Sequence, residues 1–214
     1  TRVYGEETPV LEYDVEGAAL VGLPELSCEA TAASPVGEYP IYVKKGGVTN
    51  YNDTYVDGTL TVTPARLTIT AQSYTRKQGE SNPTFGMDYE GFVNGESAEV
   101  LAQLPTTDCA AEPSSVPGEY AITVGGAEAA NYDISYVAGV LTVVEADPVT
   151  VTARSYTRVY GEENPVLEYD VEGAALVGQP ELSCEATAAS PVGEYPIYIK
   201  KGGVTNYNDT YVGG

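Results

Sequence analysis

The stretch Leu67-Thr68-Ile69-Thr70-Ala71 alternates apolar residues with threonine, and the pattern recurs at Val149-Thr150-Val151-Thr152-Ala153. Alternation with a period of two is typical of a β-strand that buries one face. Each stretch leads, one residue later, into the sequence Ser-Tyr-Thr-Arg, at residues 73–76 and 155–158. One strand therefore occurs twice in an equivalent setting, which predicts a β-rich chain built from repeats.

An internal repeat extends over the rest of the chain. Residues 1–56 match residues 157–212, with 53 of 56 positions identical. The three differences are Thr8/Asn164, Leu23/Gln179 and Val43/Ile199. A diverged copy lies between these two, and its Gly79, Pro83, Cys109 and Tyr120 match Gly5, Pro9, Cys28 and Tyr39.

This repeat predicts three tandem modules, at residues 1–64, 65–147 and 148–214. A repeat of about 70–80 residues is too long for a solenoid unit and suits a self-standing module. We expect the middle module to be complete, the first to lack its first strand and the third to lack its last. Pro64 and Pro148 precede the opening strands and predict short, stiff joints. Each module is expected to bury its own apolar face.

Short alternating segments separated by turn residues predict a mainly β fold throughout. The one helical signal is the segment 94–103 of the middle module, with Asn94 or Ser97 as its cap. The order of elements favours a β-grasp-like module with its first and last strands side by side and a short helix in the middle copy. An immunoglobulin-like β-sandwich is the alternative.

Charge and composition exclude several functions. The formal net charge is −21, which disfavours binding to nucleic acid or to an anionic membrane surface. No apolar run approaches the ~18 residues that span a bilayer, so we expect no membrane insertion in this segment. The chain has no histidine, so a Cys–His nucleophile is impossible within it.

Four segments resemble the bacterial MBG domains of the YGX type. They are Tyr160-Gly-Glu-Glu-Asn-Pro165, Phe92-Val-Asn-Gly-Glu96, Pro191-Val-Gly-Glu-Tyr-Pro196 and the ending from Asn131-Tyr132 to Gly139-Val-Leu-Thr-Val143. The middle copy departs from the family at Gln78-Gly79, where the family has Tyr-Gly. Such domains occur in tandem in large secreted or surface-anchored proteins, often adhesin-like. The resemblance implies an extracellular or cell-surface location and no catalytic residues.

The three cysteines, Cys28, Cys109 and Cys184, occupy the same position in each repeat. An odd number at long spacing is neither a disulfide framework nor a zinc pattern. One cysteine per repeat favours a small buried apolar residue over a reactive thiol.

The acidic residues indicate two kinds of candidate site. Glycosidases use paired carboxylates, which Glu6-Glu7, Glu162-Glu163, Asp14 and Asp53 could supply. With 31 acidic residues in the chain, chance proximity is common, so we expect no enzyme.

Calcium takes about 6–8 oxygen ligands. Three such ligands are close together at Asn50, Asn52 and Asp53, and again at Asn206, Asn208 and Asp209. The same residues are typical of turns. We favour the turn and expect no metal and no cofactor.

Two further sets of residues have competing interpretations. A sugar-stacking platform could be formed by the tyrosines Tyr39, Tyr42, Tyr51 and Tyr55, although packing in the core or on the sheet is favoured. Tyr42 is the better ligand candidate. The middle copy has Thr123 at its position, so the core does not require a tyrosine there. The lysine pairs Lys44-Lys45 and Lys200-Lys201 could form a covalent crosslink to asparagine. The middle copy has Gly125-Gly126 at this position, which argues against a crosslink that defines the repeat.

The sequence therefore predicts a non-catalytic stalk or spacer segment whose partners are the neighbouring repeats of the same chain. A repeated weak receptor for a glycan or a host surface protein is the alternative, with avidity from copy number. A hydrolase is the third and least favoured hypothesis.

Overall fold

The computed structural model describes residues 1–50 and 52–214. Those residues form a mainly β fold, as expected, with a single turn of 3-10 helix at Ala98–Val100. None of their helices has the length and apolar character that crossing a membrane requires. Strands β1 to β16 are, in order, Arg2–Val3, Glu25–Ser27, Gly37–Lys44, Gly58–Thr63, Ala65–Ala71, Tyr74–Lys77, Met87–Glu90, Thr106–Asp108, Gly118–Gly125, Tyr132–Val137, Gly139–Val144, Val149–Ala153, Tyr169–Gly173, Glu181–Cys184, Ile197–Lys200 and Asp209–Val212.

The helix expected within residues 94–103 is much shorter than the sequence suggested. Ser97 caps it, and its hydroxyl accepts a hydrogen bond from the Glu99 N–H at 3.5 Å. Asn94 instead adopts a φ of 55°, in the left-handed region that favours turns. The helix is limited to one turn, from which Ala98 and the buried Leu101 contact the core.

The chain forms two compact units. The first comprises Thr1–Gln72, Phe85–Asp108 and Ile122–Gly139, and the second comprises Ser73–Thr84, Cys109–Ala121 and Val140–Gly214. The middle repeat thus contributes residues to both units. The module boundaries 1–64, 65–147 and 148–214 describe the sequence repeat, and as boundaries of folding domains they stay a prediction.

In the first unit, the two central strands β4 and β5 carry six of the buried apolar residues. Strand β4 lies between β1, to which it is parallel, and β3, to which it is antiparallel; β2 completes this sheet. Strand β5 lies between the parallel β10 and the antiparallel β7. Leu67 and Ile69 of β5 are fully buried, as their alternation with threonine predicts.

One apolar cluster of this unit combines residues of two repeats. It contains Tyr4 and Val62 of the first repeat together with Leu67, Ile69 and Tyr132 of the middle repeat. The expectation that each module buries its own apolar face is therefore wrong at this joint. The physical reason is that the strand closing one repeat and the strand opening the next bury side chains in a common core.

In the second unit, β12 is the central strand of the third repeat. It pairs with the antiparallel β13 and the parallel β16, while β14 and β15 form a separate antiparallel pair. Val149, Val151 and Ala153 are buried, and they pack with Ile197 and Ile199. The alternation in this stretch again marked the buried face correctly.

The last strand of the middle repeat does not lie where we expected. Strand β11 pairs in parallel with β6, whereas the opening strand β5 has β10 and β7 as neighbours. The first and last strands are therefore not side by side. The finer β-grasp assignment and its sandwich alternative both stay predictions.

Two stretches have the same sequence in the first and third repeats but different secondary structure. Residues 13–17 and 169–173 both read Tyr-Asp-Val-Glu-Gly, yet only the second forms a strand, β13. Residues 53–56 and 209–212 both read Asp-Thr-Tyr-Val, and only the second forms a strand, β16. Both of these strands pair with β12. The presence of a central partner strand, and not the local sequence, decides whether these residues form a ladder.

Candidate functional site: the joint between repeats

The Tyr4-Gly5 pair of the first repeat contacts the middle repeat. Tyr4 is 4 % exposed, and its hydroxyl donates a hydrogen bond to Glu96 Oε1 at 2.6 Å. Its ring meets the Tyr132 ring edge-on, with centroids 5.7 Å apart. Gly5 has a φ of 89°, and a Cβ there would lie 2.5 Å from Val93 Cγ2. Both residues are thus required by close packing against the middle repeat.

Glu96 joins the two tyrosine hydroxyls. Its second oxygen accepts a hydrogen bond from the Tyr132 hydroxyl, which itself accepts one from the Val93 N–H at 3.1 Å. Burial, followed by the hydrogen bond to Glu96, raises the pKa of Tyr132 to about 12. The hydrogen bond to Glu96 also raises the pKa of Tyr4. Both phenols therefore remain protonated at neutral pH and act as donors to the carboxylate.

Asn131 forms a second polar contact across the joint. Its Oδ1 accepts a hydrogen bond from the Val36 N–H of the first repeat at 3.0 Å. Its backbone carbonyl accepts one from the Ala65 N–H, at the start of β5. One residue of the middle repeat thus holds both a loop of the first repeat and the opening strand.

The joint has almost no linker. Strand β4 ends at Thr63 and β5 begins at Ala65, so that Pro64 alone separates them. Proline fixes φ near −65° and donates no hydrogen bond, which suits a position between two ladders. The predicted stiffness of this joint therefore has a structural basis in strand continuity as well as in the proline.

One arginine in each repeat holds the turn at the Tyr-Gly pair or, in the middle repeat, at Gln78-Gly79. Arg2 and Arg76 are buried and Arg158 is half-buried. Their guanidinium groups donate to backbone carbonyls: Arg2 to Glu6 and Thr31, Arg76 to Lys77 and Glu112, and Arg158 to Glu162 and Thr187. Sequence reasoning missed these arginines. Their recurrence at one position in all three repeats, in a chain with only 10 basic residues, is the signal that could have found them.

The difference Thr8/Asn164 between the first and third repeats changes the hydrogen bonding of the arginine Nε. The Arg76 Nε donates to Asn82 Oδ1 at 2.7 Å, and the Arg158 Nε donates to Asn164 Oδ1 at 2.9 Å. The first repeat has Thr8 at this position, and the buried Arg2 Nε has no hydrogen-bond partner among the described residues. The threonine therefore leaves a buried donor unsatisfied.

A related close approach occurs in the second unit. Gly79 corresponds to Gly5, has a φ of 95°, and would place a Cβ 3.1 Å from the Tyr207 ring. Tyr207 corresponds to Tyr132. Gln78 takes the place of Tyr4, so the glycine recurs as the point of contact where the tyrosine does not.

The same motif of the third repeat is in a different environment. Tyr160 is 64 % exposed, and a Cβ on Gly161 would meet no atom within 4 Å. Since the sequence of the motif is unchanged, the packing of Tyr4 and Gly5 comes from the contact with the next repeat and not from their own repeat.

The candidate carboxylates serve the turn or lie on the surface. Glu6 and Glu162 each accept a backbone hydrogen bond, from the Val3 N–H at 2.9 Å and the Val159 N–H at 3.1 Å. Three of the other candidates are exposed, and these are Glu7, Asp14 and Glu163.

Three of the candidate calcium ligands hydrogen-bond to backbone groups that are distant in sequence. Asn50 Oδ1 and Asn206 Oδ1 accept hydrogen bonds from the N–H groups of Val21 and Val177, both at 2.8 Å. Asn52 is exposed, whereas Asn208 donates to the Ala146 carbonyl at 2.9 Å. These partners are 29 to 62 residues away in sequence, so the contacts are long-range, and the turn interpretation stays a prediction.

Lysine ammonium groups already balance the two aspartates. Asp53 lies 3.2 Å from Lys45 Nζ, and Asp209 lies 2.7 Å from Lys201 Nζ. A hydrogen bond from the Tyr55 hydroxyl lowers the pKa of Asp53. Within residues 1–50 and 52–214, no three His, Cys, Asp or Glu side chains are grouped in a way that could hold a metal ion.

The remaining candidates are the three cysteines and the tyrosines of the first repeat. Cys28, Cys109 and Cys184 are free thiols and half-buried. The Tyr39 hydroxyl donates to the Pro35 carbonyl at 2.8 Å, while Tyr42 is 41 % exposed. Tyr51 lies outside the described residues.

Comparison with known families supports the repeat structure. The MBG domain (YGX type) matches the chain three times, at residues 1–61, 67–142 and 149–214. Among curated proteins, none matches this chain. The three matches follow the three repeats and cover nearly all of the sequence. The chain therefore belongs to the MBG domain family of the YGX type and carries three tandem copies of that domain.

Proposed function

We propose that these repeats form a non-catalytic stalk or spacer segment of a bacterial secreted or cell-surface protein of the adhesin type. Family membership supports a repeated module of extracellular type. The net charge of −21 supports it as well, since like charges along a chain oppose collapse and self-association.

The observation that carries the proposal is the shared core at the joint of the first unit. A flexible linker has few contacts, whereas here Tyr4 and Val62 of one repeat pack with Leu67 of the next. Bending this joint would separate buried apolar side chains and the hydrogen bond between Tyr4 and Glu96. A joint that resists bending is what a spacer needs to hold another domain at a distance.

A second candidate function is weak binding of a glycan or a host protein by each repeat. The observation in its favour is that Tyr42 on β3 and its counterpart Tyr198 on β15 are 41 % and 47 % exposed. Repeated aromatic surfaces on one chain would bind through avidity. A glycan array separates the two functions when it is probed with the whole chain and with the Tyr42→Ala/Tyr198→Ala double variant. A signal that the whole chain gives and the double variant loses favours binding.

Small-angle X-ray scattering tests the spacer proposal. A compact globule of 214 residues has a radius of gyration of about 17 Å. We expect a clearly larger value that changes little between low and high salt, because packing at the joint and not charge repulsion alone keeps it rigid. The Gly5→Leu variant should broaden the distance distribution, and the exposed-site control Val10→Ala should not. A radius near that of the compact globule would rule out a spacer.

A further inference from the structure

The two joints within the chain differ in the loop that the following repeat presents. The middle repeat has twelve residues, 92–103, where the first and third repeats have the five residues Ala-Ala-Leu-Val-Gly, at 18–22 and 174–178. We call residues 92–103 the insert. The first joint is formed with a repeat that has the insert, and the second joint with a repeat that has the short loop. The chain therefore provides an internal comparison of two joints.

The insert supplies polar contacts to the first repeat. Glu96 accepts the hydrogen bond from the Tyr4 hydroxyl at 2.6 Å, and Asn94 Nδ2 donates to the Ala32 carbonyl at 3.4 Å. The short loop at 174–178 contains no carboxylate and no amide side chain. It cannot offer a side-chain acceptor to a tyrosine that approaches it as Tyr4 approaches the insert.

The insert also changes the partner of an asparagine that occurs in every repeat. In the third repeat, Asn206 Oδ1 accepts a hydrogen bond from the Val177 N–H of its own short loop at 2.8 Å, and Asn50 of the first repeat is bound in the same way. In the middle repeat, Asn131 Oδ1 accepts instead from the Val36 N–H of the preceding repeat at 3.0 Å. Because the insert replaces the short loop, this asparagine is available to the neighbouring repeat.

The preceding repeat differs in a complementary way at the two joints. The first repeat presents the Tyr4 hydroxyl and the Val36 N–H. At the equivalent positions the middle repeat has Gln78 and Pro117. Proline has no N–H to donate, and the asparagine that it would face, Asn206, is bound to its own loop. The phenol and the N–H are thus replaced at the joint where their acceptors are not offered.

We propose that the joint is selective: a repeat that presents the tyrosine and the valine N–H fits a following repeat that carries the insert, and a repeat with glutamine and proline fits one with the short loop. Tyr4 is 4 % exposed, so its hydroxyl would be buried without an acceptor opposite a short loop. An unsatisfied buried group disfavours the wrong neighbour more strongly than a formed hydrogen bond favours the right one. Complementary residues therefore set the order of the repeats. The inference concerns the joint and is independent of the spacer role.

Amide exchange in the full chain tests the selectivity. The Tyr4→Gln/Val36→Pro variant gives the first repeat the residues of the middle one, so the amides of β10 should exchange at least about tenfold faster. The same pair in the third repeat, Tyr160→Gln/Val192→Pro, is the control, because those residues are 64 % and 93 % exposed. An acceleration no greater than that of the control would overturn the proposal.

A double-mutant cycle separates selection by Glu96 from ring packing. Tyr4→Phe keeps the ring and removes the hydroxyl, and it should accelerate exchange in β10 about tenfold in the wild-type background. In the Glu96→Ala background, the same change should have less than about a twofold effect, because the acceptor is already removed. Equal effects in the two backgrounds would mean that the ring alone holds the joint, which would contradict the proposal.

The reverse exchange is made at the second joint. Gln78→Tyr/Pro117→Val gives the middle repeat the residues of the first one opposite the short loop. We expect the amides of β12 to exchange no more slowly than in the wild-type chain, since the loop at 174–178 offers no acceptor for the new hydroxyl. Exchange that slows about tenfold would show that this pair of residues stabilises a joint with either loop, and it would overturn the selectivity.

Discussion

At the scale of single residues, this chain contains its own comparison, because nearly identical repeats place the same residue in different surroundings. Arg2 and Arg158 share their sequence context except for Thr8 and Asn164. The asparagine satisfies the arginine Nε and the threonine does not. A buried donor without a partner costs on the order of 1–3 kcal/mol.

The Thr8→Asn substitution should therefore stabilise the first unit by about 1 kcal/mol, since asparagine can accept from Arg2 Nε as Asn164 does from Arg158. The reverse change, Asn164→Thr, should destabilise the second unit by a similar amount. Urea unfolding followed by residue-resolved amide exchange measures both. Val10→Asn, at a site 90 % exposed, is the control. A loss of stability in Thr8→Asn would contradict this account of the arginine.

The tyrosines bound to Glu96 predict a dependence of stability on alkaline pH. The pKa of Tyr132 is raised to about 12, whereas an unfolded tyrosine titrates near 10. The contribution of Tyr132 to the free energy of unfolding is fully present below pH ~10 and is lost as pH rises toward ~12. In that window the unfolded state releases the phenol proton and the folded state keeps it.

Thermal melts of the wild-type chain and of Tyr132→Phe, from pH 8 to 12, measure this effect. The pKa of Tyr55 and of Tyr211 is also raised to about 12, so the wild-type slope contains their contributions. The variant should lose part of the slope, and the exposed-site control Tyr42→Phe should retain all of it. Equal slopes in the two variants would show that Tyr132 is not protected by its burial and by Glu96.

At the scale of elements, the sequence predicted what depends on local periodicity. The alternation in residues 67–71 and 149–153 identified two central strands and their buried faces, since a period of two encodes one buried side. The alternation could not predict that residues 13–17 and 169–173 differ in structure. The second segment forms a strand because it pairs with β12, and no pattern within the segment indicates that partner.

The joint was only partly predictable for the same reason. The Tyr-Gly pair was recognisable as a family motif, and Pro64 indicated a short connection. The partners of the motif, Val93 and Tyr132, are about 90 and 130 residues away in sequence, and no local pattern links them to Tyr4-Gly5. The role of the motif as a contact between repeats therefore required the three-dimensional structure.

Matched glycine substitutions test that role. Gly5 and Gly161 have nearly equal φ angles, 89° and 91°, but only Gly5 is packed against another side chain. Gly161→Ala should cost about 1 kcal/mol for the left-handed backbone. Gly5→Ala should cost about 1–3 kcal/mol more, because its Cβ overlaps Val93.

Urea unfolding of the two variants provides the comparison, with the wild-type chain as reference. The sequence around the two glycines is the same, so the difference between the variants isolates the contact with the middle repeat. Equal losses of stability would mean that the motif does not act as a joint.

At the scale of the whole molecule, sequence repeats and compact units do not coincide. The first unit combines the first repeat with part of the middle one, and the second unit combines another part of the middle repeat with the third. Each joint between neighbouring repeats thus lies inside one compact unit and not at a boundary between the two units. A tandem array built in this way transmits stability from one repeat to the next, which separate domains on linkers do not.

Amide hydrogen exchange in the Leu67→Ala variant tests this central claim most directly. Truncating a buried leucine costs about 2–5 kcal/mol, and Leu67 belongs to the middle repeat by sequence while packing with Tyr4 and Val62 of the first. A shared core predicts that the amides of Leu60 and Val62 in β4 lose protection to nearly the same extent as those of β5. Protection that falls in β5 while β4 keeps its wild-type exchange rates would contradict the shared core and restore three independent modules.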